Sequence, residues 1–154
     1  MNLYNRADRN RWYWQCPDCY EYFEAAPGLG LFNLPKDEQL IEEVRTLDIP
    51  AMAQKFARVI CPHCSCIIES KMKKPMNDRG IWVPDNVRID RDRVFHGTPM
   101  QSSVKGYWLG GVAAAYQNWR SLIENHLYGL RDYALTGSEE KLKQTTNTDQ
   151  GAPY

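Results

Sequence analysis

The sequence carries no surplus of charge: 19 basic and 19 acidic side chains cancel over 154 residues. Net charge therefore gives no argument for a nucleic-acid partner, and any basic surface must be local. Long hydrophobic runs are missing too. No apolar stretch approaches the ~18 residues of a membrane-spanning helix. The opening residues Met-Asn-Leu-Tyr-Asn-Arg are polar and basic, without the apolar core of a secretory leader. These absences predict a reduced, cytosolic protein. Histidine is scarce, with three residues. Neither His96 nor His126 is followed by Glu two positions on, so the H-x-E and P-C-x-x-C pattern of zinc deaminases is absent.

Cysteine is where the chemistry concentrates. Cys16-Pro17-Asp18-Cys19 and Cys61-Pro62-His63-Cys64 are two Cys-Pro-x-Cys knuckles. Each puts two thiolates on one tight turn, and proline after the first cysteine fixes a backbone dihedral and stiffens that turn. Two such turns facing each other make the four-sulfur tetrahedron that zinc prefers. Their separation is wider than the usual 15–20-residue spacer. The competing reading is free or disulfide-bonded thiols. Five cysteines are an odd count for a disulfide framework, which also needs an oxidising compartment. A rubredoxin-like iron site has similar knuckles but usually glycine after the second cysteine, where this chain has Tyr20 and Ser65. The expected ligands of one structural zinc are Cys16, Cys19, Cys61 and Cys64. His63 and Cys66 lie close enough in sequence to replace Cys64, or else serve as a knuckle-tip residue and a packing residue. A catalytic zinc would need an open coordination position and a nearby base; the pattern here suits a closed, folding site.

The remaining pattern predicts an α+β chain: zinc-ribbon-like β-hairpins with a helical insertion, then a short strand segment and C-terminal helices. One domain or two small modules suit this length. Residues 1–11 read as frayed or truncated. Trp12–Gln15 and Tyr20–Glu24 read as the strands of the first hairpin, and Pro27-Gly28-Leu29-Gly30 breaks it. Leu40, Ile41, Val44 and Leu47 suit an amphipathic helix closed near Pro50, and a second helix spans Ala51 to Ala57. Arg58–Ile60 then leads into the second knuckle, with Ile67-Ile68 as its return strand. We divide the chain into a zinc-ribbon module over 1–80, with its helical insertion at about 36–57, and a strand/helix segment over 81–154.

Lys71, Lys73, Lys74 and Arg79 form the densest basic patch, in a loop marked by Pro75 and Gly80. It reads either as a phosphate contact, with the salt dependence that implies, or as a solvated loop. Asp85, Asp90 and Asp92 interleave with Arg88, Arg91 and Arg93. That mixture reads as a salt-laced exposed strand or loop, not a nuclease centre. A helix is predicted from near Tyr116 through Trp119, Leu122, Ile123, His126, Leu127, Leu130, Tyr133 and Ala134, capped by Gly137. A final helix opens at Ser138-Glu139-Glu140. His126 falls on the apolar face without a ligand partner at metal spacing. Gly106-Tyr107-Trp108-Leu109-Gly110-Gly111 lacks the spacing and lysine of a phosphate loop.

The order of several motifs is more telling than any one of them. Arg11-Trp12-Tyr13-Trp14-Gln15-Cys16-Pro17-Asp18-Cys19 precedes Cys61-Pro62-His63-Cys64, then Gly80-Ile81-Trp82, Gly106-Tyr107-Trp108-Leu109 and Tyr116-Gln117-Asn118-Trp119. The chain closes with Asn147-Thr148-Asp149-Gln150-Gly151-Ala152-Pro153-Tyr154. Across nearly its whole length it resembles the central, zinc-knuckle segment of the large terminase subunit of tailed phages, lambda-like type. In that family a knuckle pair interrupts the end of the motor region, and an Asn-Thr-x-Leu-Gly-x-Pro-aromatic segment follows. On this resemblance residues 81–154 correspond to the end of the terminase motor region.

The resemblance implies a DNA-packaging machine: ATP hydrolysis with Mg drives DNA into a procapsid, and a metal-dependent endonuclease cuts genome lengths. The implied partners are double-stranded DNA, the small terminase subunit and the portal, in the bacterial host cytoplasm. This chain departs from that pattern. It contains no G-x-x-x-x-G-K-[ST] loop, which ATP chemistry needs to cradle phosphates. Gln150 stands where the family usually has Leu, and the family's nuclease is expected to begin where this chain stops. Only the four cysteines and the closing helical segment have counterparts here, so no catalytic residue is carried over. The expectation is a non-catalytic zinc-binding fragment, whether an excised piece or the remnant of a broken prophage gene. The alternative is a stand-alone zinc-ribbon nucleic-acid-binding module, touching DNA or a partner through Lys71, Lys73, Lys74 and Arg79.

Overall fold

The computed structural model describes residues 3–154; Met1 and Asn2, part of the stretch read as frayed, lie outside the described residues. The fold is α+β, with small, mostly antiparallel sheets and C-terminal helices. Strand β1 (Asn10–Gln15) pairs antiparallel with β2 (Tyr22–Glu24), closing the first knuckle. Strands β3 (Arg58–Ile60) and β4 (Ile67–Glu69) form a separate two-stranded hairpin around the second. β1 also pairs antiparallel with β5 (Ile81–Val83), and β8 (Tyr107–Trp108) joins β1 in parallel. β6 (Val87–Ile89) and β7 (Phe95–Gly97) make a third small hairpin.

Between the knuckles the chain is helical but broken. The single helix expected up to Pro50 is a short α1 (Asp37–Leu40) followed by a 3-10 turn at Glu43–Arg45, which bury Leu40 and Val44 respectively. Arg131 explains the break: its guanidinium donates to the Val44 carbonyl at 2.8 Å and to that of Leu47, taking up carbonyls that a longer helix would use itself. Pro50 opens α2 (Ile49–Phe56) instead of closing the segment before it. Proline is tolerated there because first-turn N–H groups have no intrahelical acceptor, and the Asp48 carboxylate caps the helix by accepting from the Ala51 N–H at 3.1 Å. The same rule overturns the loop expected at Lys71–Gly80. Ser70–Met72 is a 3-10 turn and Lys73–Asp78 is helix α3, with Pro75 in its first turn.

The core is built around two tryptophans. Trp14 and Trp119 are both buried, with ring centroids 6.1 Å apart, and Phe23 and Phe32 pack edgewise on them. Trp119 opens α4 (Trp119–Thr136), capped by the Asn118 side chain and closed by Gly137 at φ 77°. Tyr116, counted on the apolar face from sequence, lies before the helix and is exposed. α5 (Glu140–Gln144) and a π-helical turn at Thr145–Asp149 follow. That turn brings the closing segment back against Gly111, where a Cβ would fall 1.9 Å from the Asp149 carbonyl oxygen; glycine is the residue such an approach permits. Residues 7–11, expected to fray, are anchored instead. Asp8 is buried, accepts from the Gly106 N–H at 3.1 Å and from Asn10, and pairs with Lys105 at 3.1 Å.

Candidate metal centre

The two knuckles are geometric copies of one another. After the first cysteine the chain turns back, so that the Tyr20 N–H donates to the Cys16 carbonyl at 3.0 Å and the Ser65 N–H to that of Cys61 at 2.9 Å. The Cys16 N–H reaches the Glu21 carbonyl at 2.9 Å, and the Cys61 N–H that of Cys66 at 3.1 Å. Within each turn an N–H, from Asp18 or His63, points at the first cysteine's sulfur at 3.4 Å. Tyr20 and Ser65 both adopt left-handed φ, 65° and 62°. The turn thus demands the glycine-like conformation of the rubredoxin-type knuckle, and side-chain-bearing residues accept its steric cost. The strand registers repeat as well. Trp14 faces Phe23 and Val59 faces Ile68, all four buried, so each hairpin presents one pair to the core.

These copies face each other. The ligand atoms of Cys16, Cys19, Cys61 and Cys64 lie within 4.8 Å of one another. Cys16 Sγ is 3.8 Å from Cys64 Sγ, and Cys19 Sγ is 3.9 Å from Cys61 Sγ. A tetrahedron with metal–sulfur bonds of about 2.3 Å has edges of about 3.8 Å; these two edges match it, and all the others stay within 4.8 Å. All five cysteines are free.

Electrostatics give the same picture. Burial alone would raise the Cys16 thiol, but N–H groups of Cys19 and Asp18 and the neighbouring Cys66 and Cys61 bring it down to about 7. Burial pushes Cys61 up to about 12, helped by Cys16 and Cys64 and opposed by the Cys64 and His63 N–H groups. Cys19 and Cys66 are raised too, by burial first and then by neighbouring sulfurs. One thiolate is accommodated and the next ones are resisted. A divalent cation relieves that conflict, because a coordinated thiol is deprotonated outright.

The other sequence candidates fall in different places. The His63 imidazole points to the Tyr22 carbonyl, with Nε2 3.0 Å away, across to the first hairpin. Cys66 sits with its sulfur 3.5 Å from Cys16 Sγ. In the basic patch, Lys73 is turned inward: its ammonium donates to the Ala114 and Gln117 carbonyls, both at 2.5 Å, and burial pushes it down to about 8. Lys74 pairs with Asp78 at 3.0 Å, while Lys71 and Arg79 are exposed. The three aspartates are not clustered as a site. Asp85 pairs with Arg9 at 2.8 Å and Asp90 with His96 at 2.7 Å, while Arg91 reaches Glu21 at 2.7 Å. His126 bridges Asp37 at 2.9 Å and Gln150 at 3.3 Å, tying α1 and the closing segment to α4.

Asn77 escaped the sequence reading. Its carbonyl oxygen accepts from both the Trp12 and Trp14 indoles, at 2.9 and 2.7 Å, and its amide donates to the Ala113 carbonyl at 2.8 Å. One side chain thereby locks the first knuckle's strand to the helix that follows the second. The signal available beforehand was two tryptophans at alternate positions, which place two indole donors on one strand face.

Comparison with known proteins adds identity to this geometry. Residues 1–82 match the family model described as phage terminase large subunit gpA, ATPase domain, and residues 104–154 match terminase large subunit gpA, endonuclease domain. Both knuckles fall in the first match. The second corrects the expectation that the nuclease begins only beyond Tyr154, because that domain's model already matches from residue 104. Neither a curated protein nor a solved structure matches the chain. Since the ATPase-domain match alone spans residues 1–82 of 154, the chain belongs to the gpA family of phage terminase large subunits.

Proposed function

We propose that this chain is a non-catalytic, zinc-binding segment of a terminase large subunit, in which one structural zinc on Cys16, Cys19, Cys61 and Cys64 joins two distant hairpins into one unit. The observation that carries this reading is the convergence of four sulfurs from two duplicated turns to within 4.8 Å of one another. Structural zinc contributes about 10–16 kcal/mol of apparent binding energy, as much as a whole domain's stability. The second hairpin has only two strands, which alone are marginal in water. Its attachment to the core is the step zinc would secure.

No phosphate-cradling G-x-x-x-x-G-K-[ST] loop occurs in the sequence, which supports the absence of ATP hydrolysis by this chain alone. ATP and Mg would belong to the full-length protein, as would cleavage of DNA, the small terminase subunit, the portal and the bacterial cytoplasm as setting. Among the described residues no helix is long and apolar enough to cross a membrane. Duplex contact, if this segment makes one, would run through Lys71, Lys74 and Arg79, since Lys73 is held by carbonyls while the Lys74–Asp78 pair is exposed and weak.

The test is metal content of the purified chain. We expect one tightly held equivalent of zinc, lost when Cys16, Cys19, Cys61 or Cys64 becomes Ser and kept in Cys66→Ser. A folded chain without bound metal overturns the reading. Measuring duplex affinity from low to high salt separates the alternative nucleic-acid module. Affinity that falls with salt and with Lys71→Ala and Arg79→Ala favours it, and no affinity at low salt removes it.

A further inference from the structure

The four-sulfur cluster has a fifth thiol and a carboxylate beside it. Cys66 Sγ lies 3.5 Å from Cys16 Sγ, and Asp18 Oδ2 lies 3.9 Å from Cys64 Sγ. The ligand atoms of Asp18, Cys64 and Cys66 fall within 4.8 Å of one another. The first hairpin contributes Asp18 from its knuckle tip, and the second contributes Cys64 and Cys66 from either side of the left-handed Ser65. This edge opens to solvent, because Asp18 and Cys64 are exposed and Cys66 is only partly buried. We propose that Asp18, Cys64 and Cys66 form a second, outer metal site that accepts a thiophilic divalent cation, with Cys64 shared between the two ions.

This rests on the first site being filled. Four thiolates around one divalent ion leave a surplus of negative charge, and the Asp18 carboxylate adds to it on the exposed side. Arg91 on the neighbouring hairpin is already engaged by Glu21 at 2.7 Å. Two sulfurs and a carboxylate oxygen converge on this one edge, and together they offer three donors to a second cation. Sulfur and oxygen donors at these spacings suit zinc or cobalt. Binding releases the Cys66 proton to solvent and forms bonds to Cys66 Sγ, an Asp18 oxygen and a bridging Cys64 Sγ. Water completes the coordination, and no oxidation state changes. The outer site is the weaker of the two, because it is exposed and shares a donor.

Cobalt(II) titration of the full chain tests this, read by native mass spectrometry for stoichiometry and by thiolate-to-cobalt charge-transfer absorption for ligand type. The expected result is two steps, with the second adding charge-transfer intensity. Asp18→Asn and Cys66→Ser should each weaken the second step by about tenfold or more and leave the first unchanged. Asp18 is exposed, so its variant keeps the fold even if Cys66→Ser disturbs packing. A single step means that Cys66 only donates a hydrogen bond to the Cys16 thiolate, and it overturns the outer site while sparing the structural one. A second ion bound without new thiolate absorption, or unmoved by both variants, overturns it as well. Absence of the first step overturns both readings.

Discussion

The two knuckle hairpins share a turn and differ in everything around it. Their hydrogen bonds, left-handed residues and strand registers match position for position. Yet the first sits inside a sheet: β1 is flanked by β2, β5 and β8, and Trp14 rests against Trp119. The second is a separate pair of strands that reaches the core through Val59, Cys61 and Ile68 and the first hairpin through the His63 imidazole at the Tyr22 carbonyl. Cys-Pro-x-Cys sets the same local geometry in both surroundings, and on the proposed function those surroundings would decide how much each hairpin depends on a bound metal. One hairpin would stand largely by its own packing, and the other by the ion that ties it to the first.

Chelation should break the symmetry most. Hydrogen exchange after metal removal is expected to show amide protection lost across Arg58–Glu69 and partly retained along Asn10–Gln15. Equal loss in both hairpins would mean that the sheet gives the first no independence. Core truncations come next. Trp14→Ala should cost about 3–5 kcal/mol and Ile68→Ala about 2–5 kcal/mol in denaturant unfolding of the metal-loaded chain. In the chelated chain only the Trp14 effect should persist, because the hairpin carrying Ile68 is already released.

Acid should act on the first hairpin's sheet through Asp8. Burial alone would raise this carboxyl, but hydrogen bonds from the Gly106 N–H, Lys105 and Asn10 outweigh it and hold it below its ordinary range. A carboxyl lowered in the folded state stabilises above its unfolded pKa, near 3.9, and that contribution fades as pH falls through the folded value. The stability difference between wild type and Asp8→Asn should therefore be constant above about pH 5 and shrink below about pH 4. A difference independent of pH would contradict the assignment. The smallest effect concerns the turn itself. Tyr20→Gly and Ser65→Gly should each change stability by at most about 1 kcal/mol, since relief of left-handed strain offsets the added backbone entropy of glycine. Similar values at both sites would affirm the equivalence of the turns, and a large gap would deny it.

Much of this site was legible beforehand because cysteine spacing encodes it directly. Cys16, Cys19, Cys61 and Cys64 were singled out by motif, and their sulfurs converge. What surrounds them was not legible in the same way. Lys73 reads as a surface cation, yet its fate depends on carbonyls at Ala114 and Gln117, far along the chain. Asn77 looks like a loop amide until Trp12 and Trp14 arrive from another element. Pro50 and Pro75 read as breakers in the sequence, because first-turn tolerance depends on where a helix starts, and here the starts are set by the Asp48 cap and by the 3-10 turn at Ser70–Met72. The α4 pattern was strong over Trp119–Leu130, where buried residues recur at helical steps. It failed at Tyr116, which lies outside the cap.

X-ray absorption at the zinc edge, on chain loaded with one equivalent of zinc, tests the metal centre most directly. Four sulfur neighbours at about 2.3 Å, reduced in number when Cys64 is replaced by Ser, is the expected result. A shell dominated by nitrogen or oxygen, or one indifferent to all four cysteines, would contradict it.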